Sequence, residues 1–206
     1  LNEDDAEDCN DSKKNYTDID FALRYTQKLN NNEAGIFVAE EHDEKYAQGK
    51  SFYALRSKQK VGTKTFGYFL THVKNNFLNE KATVNVFDYT NVKSDKLTFY
   101  TDVLASEKEG RSGLGLRSQF VYQVSAFKRR SGSIVYFEDD FELNDFGYLK
   151  KRDWFHIGLG NDFTKVDFNK NSSLEEREIA IDFNYDSDPA GNSNPVTVRQ
   201  EFNFTY

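Results

Sequence analysis

The chain is short of the residues that usually announce chemistry. Of 206 residues, one is cysteine, one is tryptophan, two are proline and none is methionine. A single thiol forms no internal disulfide, and Cys9 sits among Asp5, Glu7 and Asp8 rather than beside the cations that would activate it. Lys and Arg number 27 against 34 Asp and Glu, so the net charge of −7 lacks the basic surplus that general nucleic-acid binding needs. Unbroken apolar runs reach only about four residues, as in Ile134–Phe137, which excludes a transmembrane helix. His42, His72 and His156 show no HxH or HxxxH pairing, so no zinc site or catalytic triad is expected. Gly158-x-Gly160 is not followed by a helical pattern and is no phosphate-binding turn. No cofactor is expected. The absence of an initiator Met and of an N-terminal signal pattern suggests a processed or excised piece of a longer chain.

Aromatics, by contrast, are abundant: 19 Phe and 12 Tyr bring them to 16% of the chain, which excludes intrinsic disorder. From residue 20 onward they recur with a period of two. Val196, Val198, Phe202, Phe204 and Tyr206 form one row against Thr197, Arg199, Glu201, Asn203 and Thr205. Ile179, Ile181, Phe183 and Tyr185 alternate with Ala180, Asp182, Asn184 and Asp186, and Phe21, Leu23, Tyr25 and Leu29 with Arg24, Thr26 and Lys28. This period means strand. Leu114, Leu116, Phe120, Tyr122, Val124 and Ala126 alternate in part with Arg117, Gln119, Gln123 and Ser125, and weaker alternation over 34–42, 51–61, 64–74, 82–92, 96–106, 132–139 and 154–166 brings the total to about ten or eleven strands, many longer than the usual five or six residues. Turn chemistry falls at Asn30–Gly35, Val61-Gly62-Thr63, Lys93-Ser94-Asp95 and Arg129-Arg130-Ser131-Gly132, and Pro189 and Pro195 flank the last long loop. Residues 1–19 read as an acidic loop or leader, and 20–206 as one all-β domain, an antiparallel up-and-down sheet of the kind that closes into a barrel.

Alternation admits two inverted solutions. A soluble sandwich or barrel buries its apolar rows; an outer-membrane barrel turns them to lipid and lines a wet lumen with the polar ones. Strand length, Phe and Tyr near strand ends, and polar rows of large charged side chains with few glycines favour the transmembrane barrel. Lumen charges are then expected at Arg24, Arg117, Asp182, Arg199 and Glu201. The terminal Phe202-x-Phe204-x-Tyr206 is similar to the closing aromatic pattern of such barrels.

Several segments carry a family resemblance: Asp18-Ile19-Asp20, Phe52-Tyr53-Ala54-Leu55-Arg56, Asn76–Tyr89, and Asp140–Asp153 with its Asn144-Asp145-Phe146-Gly147-Tyr148-Leu149-x-x-Arg152 block. Over about residues 18–160 they resemble the C-terminal region of an uncharacterised Gram-negative family. Its members join a module like the family-nine carbohydrate-binding modules to an outer-membrane-type β-barrel of unknown function. The resemblance implies outer-membrane location, a barrel longer than this chain, and a link to glycan handling. That family has no established functional residues to carry over.

Chemistry proper is thin. Glu138, Asp139, Asp140, Glu142 and Asp145 form a carboxylate cluster; a glycoside hydrolase uses two such groups about 5–10 Å apart, but a solvated loop or lumen rim uses the same residues. The acidic leader and Asp186–Asn192 lack calcium-loop spacing. Lys128-Arg129-Arg130 and Lys150-Lys151-Arg152 are basic knots suited to turns or to lipopolysaccharide. The expectation is therefore a segment of an outer-membrane barrel with a channel, transport or surface-scaffold role and no catalytic residue. Weak lumen or rim candidates are Arg117, Asp139, Asp140, Glu142, Asp145 and Arg199. Its partners would be a lipid bilayer or lipopolysaccharide, with a glycan or a further subunit in addition and no nucleic acid. The alternatives are a soluble β-sandwich or barrel binding a carbohydrate or apolar ligand, and a glycan-active hydrolase.

Overall fold

A computed structural model of the chain describes residues 18–43, 49–75, 80–143, 153–166, 176–187 and 196–205. The acidic leader with Cys9, Asp145, Lys150–Arg152, Asp188–Asn192, both prolines and Tyr206 lie outside these residues. The described part is all β. Its strands are β1 (Ile19–Leu29), β2 (Asn32–Glu41), β3 (Lys50–Val61), β4 (Lys64–Asn75), β5 (Glu80–Ser94), β6 (Leu97–Lys108), β7 (Arg111–Ser125), β8 (Lys128–Phe137), β9 (Trp154–Lys165), β10 (Glu176–Ser187) and β11 (Thr197–Thr205). Each pairs antiparallel with its chain neighbours, giving one eleven-stranded up-and-down sheet in the order β1 to β11. The expected closure is not made: within the described residues β1 and β11 remain open edges.

Three turn assignments need correction, the smallest at Lys93-Ser94-Asp95, where β5 runs through Ser94 and the chain reverses at Asp95-Lys96. Arg129–Gly132 is not a turn but lies within β8, and the chain reverses at Ala126-Phe127 instead. Strand pairing absorbs the Ser-Gly pair because Gly132 faces the ring of Phe120, where a Cβ would come within 2.3 Å. Of Asn30–Gly35 only Asn30-Asn31 turns, since Leu29 already pairs with Asn32. Positive φ falls on tolerant residues at Asn30 (50°), Gly62 (60°) and Gly110 (80°), while Glu109 (52°) adopts it at a steric cost.

The connections sort by end of the sheet. At one end four of the five are two residues long, at 30–31, 62–63, 95–96 and 126–127, and the fifth spans 166–175. At the other end they span 42–49, 76–79, 109–110, 138–153 and 188–196, so most are longer. We call these the short-turn and the long-loop end.

Register makes each face continuous across all strands. One face carries, in paired order, Leu23, Ile36 with Val38, Leu55, Leu70, Phe87, Val103, Leu116, Ile134, Ile157 with Leu159, Ile181 with Phe183, and Val198. Aromatics gather toward its two margins: Phe66, Tyr89, Phe99, Phe120, Tyr122, Phe163, Phe202 and Phe204 toward the short turns, and Phe21, Tyr53, Tyr136, Phe155 and Tyr185 toward the long loops. This face is open to solvent, with Phe87 59%, Val103 48% and Phe202 55% exposed.

Among the described residues the buried hydrophobics are Ala39, Val73, Val84, Val135, Phe137 and Phe141. All of the strand residues in that set lie on the opposite, charged face. The small core of the molecule sits under its polar rows.

Candidate functional site

The charged face is the natural place to look for function, because the fold gathers there the side chains that can bind or select ions and polar solutes. Period two places Arg24, Arg56, Asp88, Asp102, Arg117, Arg129, Asp162, Asp182, Arg199 and Glu201 on one side of the sheet. The expected lumen charges Arg24, Arg117, Asp182, Arg199 and Glu201 are thus brought onto a common surface.

Most of these charges are paired. Arg117 donates through Nε (2.8 Å) and Nη2 (2.5 Å) to Asp102 Oδ2 on the neighbouring strand. Arg129 does the same with Asp162 Oδ2 at 2.8 Å from both Nε and Nη2. Arg56 pairs with Asp88, Lys28 with Glu33, and Arg199 with Glu201. Asp186 Oδ1 accepts the Trp154 indole N–H at 2.7 Å and lies 3.0 Å from His156 Nδ1. A recess of about 480 Å³ opens beside β1, lined in part by Arg24, Lys28, Glu33, Phe37, Arg56 and Phe69. Its cations and rings suit an anionic or sugar-like group.

Glycine is what lets this face crowd. The polar rows do not have few glycines, as the alternation suggested; Gly35, Gly67, Gly113, Gly115, Gly158 and Gly160 all lie on them. A Cβ at Gly67 would sit 2.2 Å from Asp88 Oδ2, at Gly115 2.7 Å from the Phe137 ring, and at Gly160 2.6 Å from Ser131 Oγ. These positions were missed because glycine carries no hydropathic weight, and only the cross-strand partner shows why it is needed.

The carboxylate cluster follows β8 and is used by the fold itself. Glu138 Oε2 accepts the Leu114 N–H at 2.7 Å, and Asp139 Oδ1 accepts the Asp140 N–H at 2.9 Å. Asp139 and Asp140 are exposed. Glu142 is turned inward with only 10% of its side chain exposed, 3.1 Å from Lys108 Nζ and 3.9 Å from Arg111 Nη2, while its N–H donates to Ser106 Oγ at 3.0 Å. Between them Phe141 is fully buried, stacked on Phe137 at 5.0 Å and 16°, with Leu104, Leu143 and Trp154 around the pair. Its backbone lies so close to Gly113 that a Cβ there would meet Phe141 N at 2.3 Å. The start of the long 138–153 connection therefore folds onto the charged face as a strap. Sequence reasoning read this stretch as a solvated rim; the single Phe among five carboxylates was the clue to its burial.

The structure brings Glu142 to a cationic pocket, keeps Arg117 in an inter-strand pair far from it in register, and places Arg199 near the open edge. Arg117, Glu142 and Arg199 share the charged face but form no common centre. His42 Nδ1 is 3.1 Å from Asp20 Oδ2 and His72 Nδ1 is 2.8 Å from Thr83 Oγ1. Among the described residues no group of three His, Cys, Asp or Glu is arranged to hold a metal ion. Comparison with known proteins finds no matching family model, no matching curated protein and no matching solved structure.

Proposed function

We propose that this chain forms part of the wall of an outer-membrane β-barrel, with the apolar face against lipid, the charged face around an aqueous lumen, and a channel, transport or surface-scaffold role. The observation that carries this reading is the distribution of burial. Large apolar side chains are exposed from β1 through to β11, while the buried hydrophobics of the strands lie on the charged face. In water a continuous apolar face of this kind is strongly unfavourable at about 25 cal/mol per Å²; in hydrocarbon it is the stable arrangement. A sandwich would cover that face with a second sheet, and the described residues form only one.

Three further features support it. Aromatic residues gather at both margins of a mainly aliphatic middle that also holds Phe87 and Phe183, as the headgroup regions of a bilayer favour. Two pairs of neutral polar groups on the apolar face satisfy one another, with Tyr68 Oη donating to Asn85 Oδ1 at 2.6 Å and Thr101 Oγ1 lying 3.0 Å from Ser118 Oγ. Short turns and long loops segregate to opposite ends, which would put the long loops, and any lipopolysaccharide contact, outside the cell. The resemblance to the Gram-negative barrel family points to a glycan as the kind of solute or surface ligand concerned.

The test uses single cysteines in a Cys9→Ser background, Val103→Cys on the apolar face and Ser133→Cys on the charged face, each carrying a polarity-sensitive dye in reconstituted vesicles. Doxyl-labelled lipid should quench the dye at 103 and aqueous iodide the dye at 133. Iodide quenching at 103 with none from lipid, or a chain that stays monomeric in plain buffer, would overturn the reading.

A further inference from the structure

The charged face is not evenly charged, and the recess beside β1 sits in its basic part. From mid-strand to the short turns, β1 to β4 place Arg24, Lys28, Arg56, Lys58 and Lys60 on that face against Glu33, among the described residues. Over the same half, β9 to β11 place Asp162, Glu176, Glu178, Asp182 and Glu201 there against Arg199. Between them Asp88 and Asp102 balance Arg117 and Arg129. Five strand spacings of about 4.8 Å separate β4 from β9 along the wall, about three times the screening length of ~8 Å at physiological salt. The acidic strands therefore leave the basic ones uncompensated.

We propose that this recess is a binding site for an acidic saccharide, a uronate whose carboxylate meets Arg24 and whose ring lies on Phe37 and Phe69. The proposal rests on the reading of this face as a lumen wall and names the solute class the wall selects. Register builds the recess from two rows, Thr26, Gly35 and Arg56 in one and Arg24, Phe37 and Ala54 in the next. Gly35 and Ala54 are small where their neighbours are large. The space between them is about 480 Å³, within the range of about 300–1,000 Å³ usual for small-molecule sites.

The charge of the occupant follows from the ion pairs. Lys28 Nζ lies 2.8 Å from Glu33 Oε1, and Arg56 is held by Asp88. Arg24 is exposed and makes no ion pair among the described residues. One positive charge is thus left over in the recess, which matches a single carboxylate better than a phosphate dianion. The ring follows from the floor. Phe37 and Phe69 are half-buried, the latter with the Arg56 guanidinium 6.0 Å from its centroid, and with Ala54 they offer an apolar surface to the C–H face of a pyranose. Thr26 and the Lys28–Glu33 pair line the same recess and supply donors and acceptors for sugar hydroxyls. A small inorganic anion would use the guanidinium and leave the rings bare, and a neutral sugar would leave the charge unanswered.

The experiment uses the intact polypeptide in detergent micelles and titrates methyl β-D-glucuronide by the broadening of its proton NMR lines. Methyl β-D-glucoside, acetate and glucose 6-phosphate are the comparators. The glucuronide is expected to bind more tightly than each of them by about tenfold, or 1.4 kcal/mol. Arg24→Gln, at an exposed position without an ion pair, should weaken it about tenfold. Phe37→Leu should weaken the glucuronide and leave acetate unchanged. Lys60→Gln, on the same basic strands but outside the recess, should change nothing. Equal binding of the glucoside would overturn the inference in favour of a neutral sugar, equal binding of acetate in favour of a plain anion site, and tighter binding of glucose 6-phosphate in favour of a phosphate site. An equal loss from Lys60→Gln and Arg24→Gln would overturn it in favour of a diffuse basic field. No binding of the glucuronide, with lipid still quenching the dye at position 103, would overturn it and leave the barrel reading standing.

Discussion

Arg56 on β3 and Asp88 on β5 form an ion pair across the strand that separates them, with Nη1 2.5 Å from Oδ2, and the residue they reach over is Gly67. Gly67 lies directly opposite Asp88, and any Cβ there would fall 2.2 to 2.5 Å from the carboxylate atoms. The pair is about three-quarters covered, with 29% and 19% of the two side chains exposed. It ties three strands together, which a pair between adjacent strands cannot do.

Gly67→Ala should therefore act through Asp88. A charge-assisted hydrogen bond is worth about 1.5–3 kcal/mol, and relief of glycine's backbone entropy returns about 0.5–1 kcal/mol, so a net loss of roughly 1 kcal/mol is expected. In an Asp88→Ala background the same change should be neutral or stabilising. Urea unfolding of the four proteins in detergent micelles checks the change of sign.

The strap after β8 gives the largest single effect. Phe141→Ala empties a fully buried site and is expected to cost about 3–5 kcal/mol. Gly113→Val should reproduce much of that from the other side, because its side chain would meet Phe141 backbone rather than a movable side-chain tip. Trp154, the one tryptophan of the chain, lies 6.2 Å from Phe137 in the same cluster, so its emission should move to the red in both variants. Under the lumen reading, both should also raise single-channel conductance in planar bilayers.

Glu142→Gln tests the electrostatic half of the same strap. Its two partners are more exposed than it is, Lys108 at 39% and Arg111 at 57%, so the loss should stay near 1–2 kcal/mol rather than the value for a fully buried pair. The hydrogen bond from its N–H to Ser106 survives the change. Unfolding of wild type and variant at low and high salt should show a difference that narrows as salt screens the two part-exposed cations.

The strands were legible because they are long. Nine or more residues of alternation leave little room for a competing period, so all eleven could be read, from Phe21–Leu29 at one edge to Val198–Phe204 at the other. Turns were less legible where composition and register disagree: Arg129–Gly132 looks like a turn by residue type, yet it pairs with both Phe120–Gln123 and Leu159–Asp162. The shared face of Arg24, Arg117, Asp182, Arg199 and Glu201 followed from parity alone. Which charge meets which did not, because Arg56–Asp88 skips a strand and Glu142 is carried to Lys108 by a loop. Burial of Phe141 was signalled only by its place as a lone Phe among carboxylates, since where it packs depends on a glycine 28 residues earlier in the chain.

The orientation of the sheet is open to one substitution whose sign differs between readings. Phe87 stands near the middle of β5 on the apolar face, 59% exposed and 4.8 Å from the Tyr68 ring. If that face meets water, Phe87→Arg replaces an exposed ring by a soluble side chain, and stability should change by about 0.5 kcal/mol or less apart from the lost ring contact. If it meets lipid, the guanidinium lies near the bilayer midplane, where arginine costs about 2–4 kcal/mol. The same charge at Ser112, on the same face but at the long-loop margin beside Glu107, should cost only about 0–1 kcal/mol. Folded yields into vesicles of graded urea content would measure both. A deep deficit at 87 with almost none at 112 is the expected result, and equal yields would mean that no hydrocarbon covers the middle of this face.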